Sequence, residues 1–146
     1  MKSHLKLIVP TPENRAVAPT RQANSHYRKR EHLTPGEVEC LIEAARSNRY
    51  GHRDATMLLV AYRHGLRASE LCSLEWSQVD FDGAHLHVRR LKNGKPATHP
   101  IRGDEMRALR KLQREAPRSP FVFVNERGTP FSPDGFNWLV KRAGQK

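Results

Sequence analysis

Arg67 stands where one apolar helical pattern ends and another begins, in Ala61-Tyr62-Arg63-His64-Gly65-Leu66-Arg67-Ala68-Ser69-Glu70-Leu71-Cys72-Ser73-Leu74. An arginine held at a helix start can make a bidentate pair with a phosphate, beside backbone N–H groups that also favour an anion. The spacing to Glu70 equally suits a structural ion pair. Further along, Arg89-Arg90-Leu91-Lys92-Asn93-Gly94-Lys95 concentrates four cations around a turn signal, which suits phosphate contact or an ordinary basic turn. His85 and His87 share one strand face but have no third ligand at a fitting spacing, so no metal is expected there and both are read as surface or DNA-facing. Cys40 and Cys72 lack metal spacing and are read as reduced, small apolar residues.

The elements that would hold these residues can be read from periodicity. Thr34-Pro35-Gly36-Glu37 is a capping box with proline at the first helical position. Val38, Leu41, Ile42 and Ala45 then recur at helical spacing, predicting a helix to about Ser47. A second helix is expected from about Asp54 to His64, carrying the apolar run Met57–Tyr62 and stopping at Gly65. A third covers Ala68–Leu74, with Trp76 packing just beyond. The period then changes from helical to alternating over Ala84–Arg90, and Asn93-Gly94 is a strong hairpin signal. A return strand is expected over Pro96–Ile101, with a short strand possible at Gln78–Phe81. Asp104 opens another helix that ends before Pro117. Phe121–Val124 reads as a short strand or buried extended segment. Ser132-Pro133 opens a last helix stopping at Gly144. The fold class expected is mainly α with a small antiparallel β-sheet.

The 146 residues carry a formal charge of +11, a field that concentrates polyanions and makes nucleic acid the expected partner. Residues 1–31 are read as a disordered basic arm, rich in cations and proline, with Arg28, Lys29 and Arg30 as DNA-binding candidates beside Arg89, Arg90 and Lys95. Residues 32–146 are read as the folded domain. No apolar run is long enough to span a membrane, and the N-terminus has no secretory pattern. A cytoplasmic protein with no small-molecule substrate is expected.

From about Leu33 onward the chain resembles the catalytic domain of tyrosine recombinases, the phage-integrase family. The segments that carry the likeness are Leu59–Arg67, Arg89–Gly94, His99-Pro100 and Glu126-Arg127-Gly128. They look most like the small recombinases that invert a fimbrial promoter switch in enteric bacteria. The resemblance implies that Arg67 is the first catalytic arginine, that Glu70 steadies it, and that it clamps the scissile phosphate as phosphorus becomes pentacoordinate. It also implies a catalytic lysine in the hairpin that protonates the leaving 5′-oxygen. Cationic neighbours lower a lysine's pKa for that task, and counting back from Pro100 selects Lys92 over Lys95. The resemblance further implies that no cofactor is needed and that the partners are double-stranded DNA and other recombinase protomers on it.

Two family elements are not matched. The second catalytic motif, His-x-x-Arg, has three counterparts in His64–Arg67, His87–Arg90 and His99–Arg102, all upstream of where the motif belongs and read as coincidence. The nucleophilic tyrosine lies near the end of the family's domain, whereas Tyr27, Tyr50 and Tyr62 all precede Arg67. The expectation is therefore the N-terminal part of a recombinase catalytic domain, inactive alone because its side chains cannot start the covalent step. The alternative is a non-enzymatic DNA-binding protein that occupies recombination sites and blocks an intact recombinase. An RNA-binding role finds no aromatic stacking platform to support it.

Overall fold

Thr34 caps a helix in a capping box, as the sequence predicts: its hydroxyl accepts from the Glu37 N–H at 3.3 Å, and Glu37 accepts from the Thr34 N–H at 2.8 Å. The computed structural model describes residues 22–27, 29–30, 32–90, 93–116 and 118–146. It divides into two units, Met1–Leu33 and Thr34–Lys146. Within the first, Asn24–Tyr27 forms one helical turn, α1, too short to leave a periodic signature. Most of the expected basic arm, Arg28 included, lies outside the described residues.

The second unit is built on α2 (Pro35–Arg46), α3 (Gly51–His64), α4 (Ala68–Cys72), α5 (Gly103–Glu115) and α6 (Pro133–Ala143). A three-stranded antiparallel sheet, β1 (Val79–Asp80), β2 (His85–Val88) and β3 (Ala97–Pro100), runs in the order β1-β2-β3. The fold is thus mainly α with a small antiparallel sheet. Met57 and Val60 of α3 have no exposed surface, and Leu71, Leu74, Leu86, Leu109, Val122 and Phe123 close the core around them. Burying such side chains supplies the main stabilising term, roughly 1.5–3 kcal/mol each. Alternation in β2 is as read: Leu86 and Val88 face the core, and His85 and His87 face solvent.

Three elements differ from expectation. Helix α3 starts three residues before Asp54 (Gly51 against Asp54), because its first turn is held by polar contacts that periodicity does not register. Buried Asp54 accepts from Arg53 at 2.7 and 2.9 Å and from Asn48 at 3.0 Å. Helix α4 ends at Cys72 rather than Leu74, and Leu74 instead accepts from the Val122 N–H at 2.8 Å. Phe121–Val124 takes the second of its two expected forms, a buried extended segment. It makes only isolated bridges, Glu75 with Phe121 and Val124 with Pro130.

The third difference is at the hairpin. Pairing stops at Val88 opposite Ala97, so the connection is wider than the tight two-residue turn that Asn93-Gly94 suggests. The next pair in register would set Arg89 against Pro96, which has no N–H to give to the ladder. Asn93 still adopts the left-handed conformation, with φ 63°.

Candidate phosphate-clamp site at the α3–α4 joint

The joint between α3 and α4 is made by a glycine stop. Gly65 has φ 58° and ψ 42°, and the N–H groups of Gly65 and Leu66 both return to the Ala61 carbonyl. Two residues later Arg67 is the N-cap of α4, and its carbonyl accepts from the Leu71 N–H at 2.9 Å. Arginine has no acceptor, so only half of a capping box forms here. The carboxylate of Glu70 accepts from the Arg67 N–H at 3.0 Å. Glu70 is buried at 4 % exposure. The Arg67 side chain is 61 % exposed, with its Nη1 3.7 Å from Glu70 Oε1. The acid therefore holds the backbone of Arg67 and stands within ion-pair range of its largely exposed guanidinium.

A buried polar chain backs this joint. His64 Nε2 lies 2.6 Å from Glu105 Oε1, and His64 Nδ1 lies 3.1 Å from His99 Nδ1 of β3. The two imidazoles stack at 5.3 Å between centroids. Glu105 is fully buried, and Arg63 Nη1 stands 3.8 Å from its Oε2. Arg63 also grips Asp104 with two hydrogen bonds of 2.6 and 2.5 Å. That grip pulls the Asp104 carboxyl down to about 2. Burial, together with the charges of His64 and Arg90, holds His99 below the usual histidine range. No motif in the sequence announced this chain. The two His-x-x-Arg coincidences at His64 and His99 were its only trace, and the tertiary fold brings their imidazoles together.

The basic turn divides into two kinds of residue. Arg89 and Lys95 are exposed. Arg90, expected among the phosphate contacts, has its guanidinium on internal acceptors. Its Nη1 lies 3.0 Å from the Gly65 carbonyl and 3.1 Å from Glu70 Oε2, and its Nη2 lies 3.3 Å from the His64 carbonyl. Lys92 lies outside the described residues, as does Arg28. Lys29 and Arg30 are exposed in the first unit. Among the described residues no group of three His, Cys, Asp or Glu is arranged to hold a metal ion, and no helix is long and apolar enough to cross a membrane.

The chain that carries this joint and hairpin is similar in sequence and fold to known proteins. The model of the phage integrase family matches residues 31–146. The chain belongs to that family. As a tyrosine recombinase relative it is 35 % identical over 122 residues to the type 1 fimbriae regulatory protein FimE of Escherichia coli K12, covering 80 % of this chain and 62 % of FimE. Its fold superimposes on the crystal structure of XerA recombinase with a TM-score of 0.64 at 27 % identity, over 80 % of this chain and 45 % of that one. It also matches lambda integrase residues 75–356 bound to DNA, with a TM-score of 0.65 at 26 % identity, over 81 % and 43 % of the two chains. The integrase-family segment thus spans about three-fifths of the fimbrial relative and under half of each of these two structures.

Proposed function

We propose that these residues form the DNA-binding part of a site-specific tyrosine recombinase, which cleaves and rejoins DNA through a 3′-phosphotyrosine when complete. The observation that carries the reading is the exposed guanidinium of Arg67 on a backbone fixed by buried Glu70. A cation held so needs little reorganisation to meet charge that develops on a phosphate. The formal charge of +11 supplies attraction to the duplex, and a relative of the same fold is known bound to DNA. In this reading Arg67 clamps the scissile phosphate and Lys92 protonates the leaving 5′-oxygen. Arg89, Lys95, Lys29 and Arg30 meet neighbouring phosphates, and further protomers assemble on the same DNA. No tyrosine follows Tyr62 here, so these residues alone do not form the covalent intermediate.

A nicked suicide substrate tests the proposal. The 146-residue chain should give no covalent adduct. Adduct should form when a segment bearing His-x-x-Arg and tyrosine is supplied as a second polypeptide or a fusion. In that system Arg67→Ala should abolish cleavage, because the clamp acts in the transition state. Lys92→Ala should slow cleavage, and a 5′-phosphorothiolate leaving group, which needs no proton, should rescue it. Rescue of Lys95→Ala instead would move the general acid to the other side of the turn. Tight DNA binding with no adduct in any combination would favour a blocking protein that occupies recombination sites.

A further inference from the structure

Arg89 and Arg90 leave β2 side by side in sequence but go to opposite environments. Arg89 is exposed, while the Arg90 side chain is 25 % exposed and enters the α3–α4 joint. There it meets the carbonyls of His64 and Gly65 and the buried carboxylate of Glu70, at 3.3, 3.0 and 3.1 Å. The carbonyls ending a helix have no intrahelical donor, and a cation there is also favoured by the helix dipole. The planar fork of arginine presents its donors in a fixed geometry that suits these three acceptors at once. The returning strand packs on the stem of the same residue: a Cβ on Gly94 would fall 2.2 Å from Arg90 Cβ.

The last turn of α3 is held from two further sides. His99 of β3 meets His64 Nδ1 at 3.1 Å, and Glu105 of α5 meets His64 Nε2 at 2.6 Å. Both strands of the hairpin are therefore latched to the turn that leads into Arg67. We propose that Arg90 is a positioning residue. It fixes the chain leaving β2, and Gly94 packed on its stem, against the joint that carries Arg67, and it does not itself contact a DNA phosphate. The proposal rests on the reading of Arg67 and the hairpin as the DNA-facing site.

The test uses the full chain with Arg89→Gln, Arg90→Gln and Arg90→Lys, each checked for folding by circular dichroism. Fluorescence-anisotropy titrations of a duplex oligonucleotide give the slope of log affinity against log salt. Losing one phosphate contact lowers that slope by about 0.9. Arg89→Gln should do so, and Arg90→Gln should leave the slope unchanged. Amide hydrogen exchange at Leu66 and Arg67 should accelerate about tenfold in Arg90→Gln, as the charged hydrogen bonds are lost. It should fall between wild type and glutamine in Arg90→Lys and stay unchanged in Arg89→Gln. A slope reduced equally by Arg90→Gln, or exchange at Arg67 unmoved by it, overturns the proposal. Should Arg90→Gln not fold, Arg90→Met, which also removes the charge, carries the same two readouts. A wild-type chain that does not bind the duplex would refute the DNA-facing reading, while the exchange data would still decide the role of Arg90.

Discussion

The α3–α4 joint and the β2–β3 connection are both rich in charge, yet they use it in opposite ways. In the joint, Glu70, His64 and Glu105 are buried, and each has a partner from a different element: Arg90 from the end of β2, His99 from β3, and His64 itself from α3. In the connection, Arg89, Asn93 and Lys95 stand in solvent. Desolvated charges interact strongly and are costly to leave unpaired, whereas exposed ones are screened. The joint is consequently a place where charge sets geometry. The connection is a place where charge is available to a partner.

The largest expected effect that could break this contrast is on stability. Glu70→Ala leaves the Arg90 guanidinium without its buried carboxylate and the Arg67 N–H without its acceptor. Breaking a buried pair from one side costs about 3 kcal/mol, which should lower the melting temperature of the chain by roughly 10 °C. Lys95→Ala, in the connection, should change stability by less than about 0.5 kcal/mol. Urea unfolding of the two variants checks both figures, and equal losses would erase the distinction between the regions.

A smaller effect isolates the backbone of the joint from its charges. Gly65 has φ 58°, and a Cβ there would meet open space. Gly65→Ala therefore carries a conformational penalty alone, about 1–2 kcal/mol, measurable as a lower denaturant midpoint with unchanged slope. A neutral result would mean that the turn into Arg67 tolerates another path.

The smallest expected effect is a titration at the edge of the joint. Asp104 is held at about 2 by the Arg63 guanidinium. Its folded-state value is depressed, so the pair's contribution is present above the ordinary aspartate range and is lost as pH falls from about 4 toward about 2. Half of the Asp104 side chain is exposed, so solvent screening keeps that contribution small. Arg63→Met should return the Asp104 carboxyl to the ordinary range in an NMR titration. A carboxyl that stays low would place the cause in the helix start rather than in Arg63.

Much of the fold is legible in the sequence because local signals agree with the tertiary outcome. Thr34, Pro35 and Glu37 cap α2, Ser132 caps α6 by accepting from the Gly135 N–H, and alternation sets the faces of β2. Where the reading departs, the deciding interaction is long-range or polar. The first turn of α3 depends on Asn48 and Arg53 around Asp54. The width of the β2–β3 connection depends on Pro96 and on the inward path of Arg90.

For the site, sequence by itself determined the glycine stop before Arg67, the acid at Glu70 and the basic turn, because these follow from helix termini and turn chemistry within a few residues. It also determined the net positive field, a property of composition. Tertiary structure alone decided which of two adjacent arginines faces inward. Neighbouring side chains at a strand end differ only in direction, and direction acquires meaning once α3 lies beneath the hairpin. It alone joined His64, His99 and Glu105 as well, since residues 35 and 41 positions apart meet only when β3 and α5 pack against the end of α3.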